Sequence, residues 1–79
     1  MSSVWKKGVS GYPSLVDPLP PLSPAAFLTA ARELAAWGDE HGDPEVTHGE
    51  SDEIMESLLK QLGYGEGVAV LSEMTRWYA

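Results

Sequence analysis

The feature that most restricts the fold of this 79-residue chain is the position of its prolines. Four of the six prolines lie between positions 13 and 21, and glycines at positions 8 and 11 precede all four. Proline fixes φ and lacks a backbone N–H, so it interrupts helices and central strands. We therefore predict that residues 1–22 form an extended arm and that regular helices are confined to residues 23–79.

The arm is too apolar to be a free linker. Its large apolar residues are Val4, Trp5, Val9, Tyr12, Leu15, Val16, Leu19 and Leu22. Side chains of this kind gain free energy by leaving water, which favours an arm packed across the helices. A short strand is expected near Val4–Val9. The alternative is a frayed end.

The first helix has a recognisable start. Ser23 suits the N-cap and Pro24 the first helical position, where the missing N–H costs nothing. Apolar residues then recur at three- and four-residue spacing, which predicts one apolar helix face. They are Phe27, Leu28, Ala31, Leu34 and Ala35, extended by Trp37. The helix is expected to end at Gly38 or at Gly42, because glycine suits a left-handed terminus.

Two further helices are predicted after a polar loop at residues 43–50. Asp43-Pro44 is read as a chain break, and Ser51 as the cap of the second helix. The apolar stripe of that helix is Ile54, Met55, Leu58, Leu59 and Leu62. A third helix follows the glycine-rich connector Gly63–Gly67, with Val68, Leu71 and Met74 facing inward. A short strand over residues 68–71 is the alternative.

Together these patterns predict an all-α, compact three-helix domain at residues 23–79, preceded by an extended proline-rich arm at residues 1–22. The expected helices span about 23–41, 51–62 and 66–78. An α+β fold with a short strand near Val4–Val9 is the alternative. The chain has no cysteine, so disulfides cannot support its small core. A protein partner or a second copy is a reasonable source of additional stability.

The net charge of −7 arises in one segment. Eight of the twelve acids fall within residues 39–56, which contain no lysine or arginine. These acids are Asp39, Glu40, Asp43, Glu45, Glu50, Asp52, Glu53 and Glu56. Asp52 and Glu53 suit a helix N-terminus, whereas Asp39 and Glu40 oppose the helix dipole if the first helix reaches His41. Solvated surface is the plainer interpretation, and a docking face for a basic protein is the functional one.

We expect the eight acids to supply charge complementarity to a basic protein surface, and exposed aromatic residues to supply the desolvated contact. The aromatic candidates are Trp5, Tyr12, Trp77 and Tyr78. The strongest candidate segment is the predicted loop Asp39–Glu50. If the partner's surface normally holds nucleic acid, the protein is a competitive inhibitor and its acids imitate phosphates over a short patch. In overall character the chain is similar to phage accessory and anti-defence proteins, anti-CRISPR proteins among them. A structural subunit, with the apolar stripe of the second helix packed against a copy of itself, is the alternative.

Other chemistry is not expected. The acidic charge disfavours direct binding to nucleic acid and to anionic membranes. His41 and His48 lack the spacing of a known metal site, and weak calcium binding by the acidic segment is the remaining metal hypothesis. The glycine-rich connector lacks the lysine of a phosphate loop, and the PxxP spacing in residues 18–24 lacks a basic anchor. No catalytic motif is present, so we predict neither an enzyme nor a cofactor. The N-terminal residues lack the apolar region of a secretory signal, which favours the cytoplasm.

Overall fold

The computed structural model of the protein describes residues 4–8 and 11–75. They form three helices and a two-stranded antiparallel sheet. The elements are β1 (Trp5–Lys7), β2 (Pro13–Leu15), α1 (Pro24–His41), α2 (Pro44–Gln61) and α3 (Gly65–Thr75). The mainly helical fold class is confirmed, and the strand expected near Val4–Val9 lies at Trp5–Lys7. The last residues of the predicted third helix, 76–78, and Val9 lie outside the described residues.

Helix α1 begins and ends where its sequence signals indicate. The side chain of Ser23 accepts a hydrogen bond from the backbone N–H of Ala26 at 3.1 Å, and Pro24 opens the helix. Gly42 ends it with φ of 61° and donates its backbone N–H to the carbonyl oxygen of Gly38. Of the two predicted ends, the later one is therefore correct. Asp39 and Glu40 consequently lie in the last turn of the helix.

The predicted loop at residues 43–50 was wrong, and so was the predicted start of the second helix at Ser51. Helix α2 begins at Pro44, and Asp43 is its N-cap, accepting a hydrogen bond from the backbone N–H of Val46 at 3.2 Å. The Ser51 hydroxyl instead donates to the carbonyl oxygen of His48 within the helix. Asp43-Pro44 therefore starts a helix in the same way as Ser23-Pro24. Helices α1 and α2 form a tight helical hairpin.

The core lies between the β-hairpin and the helical hairpin. In the sheet Trp5 pairs with Leu15, and both side chains are buried. They pack with Ala30 and Leu34 of α1 and with Ile54 of α2. The indole N–H of Trp5 also donates to the carbonyl oxygen of Ala30 at 3.0 Å. The arm thus contributes a large part of the core, as its apolar composition indicates.

Helix α3 packs against α2. Its Val68 is buried, but the prediction that Leu71 and Met74 face inward was wrong, because both are more than half exposed. Of the stripe predicted for the second helix, Ile54 is buried, whereas Met55, Leu59 and the C-cap residue Leu62 are exposed. Helix α1 buries Ala30, Leu34 and Trp37, whereas Ile54 is the buried residue of α2. None of the helices in the described ranges carries an apolar stretch long enough to cross a lipid bilayer.

Candidate protein-binding site

Four of the predicted binding acids meet where α1 turns into α2. We call them the acidic tip: Asp39, Glu40, Asp43 and Glu45. Only Gly42 and Asp43 separate the two helices, so the four acids lie at a turn between helices and not along a loop, and Asp39 and Asp43 line the same depression. Asp39, Glu40 and Glu45 are exposed, and Asp43 is half-buried. The tip concentrates negative charge on surface that a partner can reach.

Part of this charge has a structural explanation. Asp43 caps α2, and Glu45 lies in the first turn of that helix, where the dipole favours an anion. Asp39 and Glu40 lie at the opposite, unfavourable end of α1, at a typical cost of about 0.3–1 kcal/mol each. Asp39 lines a depression together with Asp43 and Pro44, so the N-terminus of α2 offsets some of its cost. Glu40 is the acid of the tip that the helix geometry explains least.

Glu50 connects two elements of the fold. Its carboxylate Oε1 accepts a hydrogen bond from the backbone N–H of Leu15 at 3.2 Å, which ties α2 to β2. Burial raises the pKa of the Glu50 carboxyl above its ordinary value of 4.5, the Leu15 hydrogen bond lowers it, and the nearby Glu53 carboxylate raises it. A half-buried acid that holds the sheet has little freedom to meet a partner.

The three remaining acids of the segment lie further along α2. Asp52 approaches His48 of the preceding turn, with Oδ2 and Nε2 3.5 Å apart. Glu56 accepts a hydrogen bond from the Ser72 hydroxyl and so joins α2 to α3. Glu53 is exposed. Glu53 and Glu56 also line a cleft of about 610 Å³ together with Asp17 and Lys60, so that charge there is mixed.

The predicted aromatic contacts separate into three cases. Trp5 is only 4% exposed and belongs to the core. Tyr12 is 44% exposed, and its ring meets Trp37 edge-on with 5.7 Å between ring centroids. Trp77 and Tyr78 lie outside the described residues. Tyr12 is therefore the described aromatic candidate that a partner can reach.

The stacking of His41 on Trp37 was missed from the sequence. The two rings are nearly parallel, with centroids 4.3 Å apart, and the Nδ1–H of His41 donates to the carbonyl oxygen of Trp37 at 2.9 Å. Their i, i+4 spacing within one helix is the signal that indicates such contact. Tyr12, Trp37 and His41 thus form an aromatic row that ends at the acidic tip.

The described part of the chain holds no group of three or more acids and histidines arranged to bind a metal ion. His41 is engaged with Trp37, and His48 with Asp52. The calcium hypothesis therefore gains no geometric support.

Comparison with protein-family models, with curated proteins and with solved structures finds no match for this chain. Its function is consequently argued from its own geometry and charge.

Proposed function

We propose that the protein is an acidic binding module that docks on a basic surface of another protein. Where that surface is the functional site of the partner, docking inhibits the partner. The observation that carries this proposal is the acidic tip. There four acids lie within seven residues, on both sides of a two-residue connection between helices, and no lysine or arginine lies within residues 39–56. Such a concentration of one charge attracts a partner of opposite charge and raises the rate of association.

The position of Glu40 adds to this argument. An anion in the last turn of a helix reduces stability, and a lysine there would do the opposite. Residues that work against the local structure tend to mark functional positions. We therefore assign Asp39 and Glu40 the leading part in charge recognition.

Tyr12 supplies the aromatic contact of the proposed interface. The ring of Tyr12 rests on Trp37, which precedes Asp39 by two residues and Glu40 by three. Nearly half of the Tyr12 surface is still exposed. Tyrosine beside a charged rim is typical of protein interfaces, where it carries binding energy that exposed charges do not. The charges would select the partner, and Tyr12 would lengthen the lifetime of the complex.

A nucleic-acid-binding site is one basic surface that suits this charge. Five acids lie between Glu45 and Glu56, which span about 17 Å of helix at roughly 1.5 Å per residue. The four intervals between these acids average about 4 Å, somewhat wider than the roughly 3.4 Å between phosphates along one strand of duplex DNA. Two of the five, Glu50 and Glu56, are already engaged by Leu15 and Ser72. The acids point in several directions around α2, so any imitation of phosphates would be short. The protein would then compete with nucleic acid for a short part of the partner's basic site, which is competitive inhibition of the kind used by anti-defence proteins.

The test compares two triple variants with the same change in charge. One removes tip acids that neither cap a helix nor hold the sheet: Asp39→Asn, Glu40→Gln and Glu45→Gln. The control changes acids outside the segment: Asp17→Asn, Glu66→Gln and Glu73→Gln. We expect affinity capture from extracts of the source cells to recover one partner with the native protein and the control, but not with the tip variant.

Salt dependence is the second part of this test. Binding of the captured partner should weaken steeply between about 0.05 and 0.5 M salt, because exposed charges are screened over this range. Equal recovery by both variants, or binding that salt does not affect, would contradict the proposal.

Self-assembly is the second candidate, favoured by the exposure of Met55, Leu59 and Leu62 on α2. Burying these side chains against a second copy would stabilise a dimer. Light scattering after size exclusion distinguishes the two functions. A dimer that becomes monomeric when Leu59 and Leu62 are changed to Gln would support self-assembly, and a monomer in the native protein excludes it.

A further inference from the structure

A groove of about 500 Å³ runs between α1 and α2. Its lining comes from these two helices alone, so that neither the β-hairpin nor α3 fills it. Phe27, Ala31 and Ala35 form one wall, Met55 lies on the other, and Ile54 contributes to the floor. An apolar concavity of this size accommodates two or three large side chains, as binding grooves do.

The sizes of the side chains explain why the groove is open. The helices approach closely at Gly38, where an added Cβ would lie 2.6 Å from Cγ2 of Thr47. Beyond that contact, the alanines at positions 31 and 35 leave space between the helices that larger residues would occupy. The groove is therefore a consequence of small residues along one face of α1.

One end of the groove is negatively charged. Beyond Ala35 and Thr47 it continues into the depression that Asp39 and Asp43 line. His48 also lines the groove, and the Asp52 carboxylate lies beside His48. A complementary ligand is apolar along most of its length and cationic where it meets Asp39 and Asp43.

We propose that this groove binds an amphipathic helix of the partner protein, with its apolar stripe between the walls and a lysine or arginine facing Asp39 and Asp43. The inference rests on the proposed function and names the part of the partner that docks. From Phe27 to Asp39 is twelve residues, or about 18 Å of helix. A docked helix of about three turns fits this length, with apolar residues at positions i, i+4 and i+7 and a basic residue near i+11. A second copy of this chain fits less well, because each copy carries a net charge of −7.

The probe is a 16-residue helical peptide with leucine at i, i+4 and i+7 and two lysines beginning at i+11. A second peptide replaces the leucines with glutamine and keeps the charge, and a third keeps the leucines and replaces the lysines with glutamate. Binding is followed by nuclear magnetic resonance of the methyl groups of Ala31, Ala35 and Met55. We expect the first peptide to shift these methyl signals and to bind at least tenfold more tightly than the other two.

Matched protein variants locate the site. Ala35→Gln fills the groove, whereas Ala36→Gln adds the same side chain at the next exposed position of α1, outside the groove lining. Both variants replace alanine by glutamine at an exposed helical position, so their cost in helix propensity is the same. Ala35→Gln should weaken binding of the first peptide at least tenfold, and Ala36→Gln less than twofold. Asp39→Asn should weaken it about two- to fivefold and reduce its salt dependence.

Several outcomes would overturn the inference. Equal binding by the two alanine variants would place the peptide elsewhere, and equal binding of the third peptide would remove the charge complementarity. A native dimer that Ala35→Gln dissociates would show that a second copy occupies the groove. If the first two peptides bind equally well and shift only the amides of the acidic tip, the groove inference fails while the proposed function stands. If neither basic peptide binds, the groove inference fails, and the proposed function is decided by capture with the tip variant and its control.

Discussion

At the scale of single residues, Glu50 shows how an acid of the charged segment can serve the fold. Its carboxylate accepts the backbone N–H of Leu15, and burial raises its pKa. The folded protein therefore binds a proton at Glu50 more tightly than the unfolded chain does. The stability that this group contributes rises as the pH falls toward 4.5 and is lost as the pH rises through the native pKa.

We predict that Glu50→Gln stabilises the protein at about pH 7, because the amide keeps an oxygen acceptor for Leu15 without burying a charge. The difference from the native protein should shrink as the pH falls toward 4.5, where Glu50 becomes protonated. Urea unfolding at several pH values measures this difference. Glu50→Ala is the control, and it should be about 1 kcal/mol less stable than Glu50→Gln at every pH, because neither variant titrates at this position and only alanine leaves the Leu15 N–H without its acceptor. A difference between the native protein and Glu50→Gln that grows at low pH would contradict the prediction.

At the scale of elements, an N-cap residue followed by proline occurs twice, and the sequence predicts a helix start correctly only at the first pair. Ser23-Pro24 and Asp43-Pro44 are both an N-cap followed by a proline in the first turn. Phe27, Leu28 and Ala31 follow the first pair, so a helix was evident. The second pair is followed by residues whose apolar periodicity is weak, and the proline was therefore read as a break.

The apolar periodicity of the first two turns of α2 is weak because polar residues occupy the inner positions there. The methyl group of Thr47 meets Gly38 of α1, and Glu50 binds the backbone of β2. Hydrophobic spacing cannot detect a helix whose first two turns pack through a threonine and a hydrogen-bonded carboxylate. The four acids of the tip are evident from the sequence, but their position at a turn between two helices depends on where α2 begins.

The contact between Gly38 and Thr47 sets how closely α1 and α2 approach. Gly38→Ala would gain about 1 kcal/mol of helix propensity, but its Cβ would lie 2.6 Å from Cγ2 of Thr47. We predict a net loss of about 1 kcal/mol. In a protein that also carries Thr47→Ser, which removes Cγ2, the same change should stabilise. Urea unfolding of the four proteins should give a coupling of about 1–2 kcal/mol.

Gly49 provides the control for this prediction. It lies within α2, and a Cβ added there meets no atom within 4 Å. Gly49→Ala should therefore stabilise the protein by up to about 1 kcal/mol, whether or not Thr47 is changed. Additive effects of Gly38→Ala and Thr47→Ser would show that the two helices separate without cost.

At the scale of the whole molecule, the arm and the helices stabilise each other. The helical hairpin alone would expose Ala30, Leu34 and Ile54, which the β-hairpin covers with Trp5 and Leu15. Gln61 adds a hydrogen bond of 2.7 Å to the carbonyl oxygen of Leu19 at the other end of the arm. The arm is consequently part of the folding unit, although its described residues contain no helix and it is rich in proline.

We predict that Trp5→Ala removes most of the helical structure, although Trp5 lies in a strand. Truncating a buried tryptophan costs about 3–5 kcal/mol. The core of a chain of this size rarely supplies more than about 3–5 kcal/mol in total, so the native state would lose its margin of stability. Circular dichroism at the helix wavelength during heating measures this loss. Leu62→Ala is the control, because Leu62 is 72% exposed, and its transition should remain sharp. If Trp5→Ala unfolds as cooperatively as Leu62→Ala, then α1 and α2 fold without the arm, and residues 1–22 are free to take part in binding.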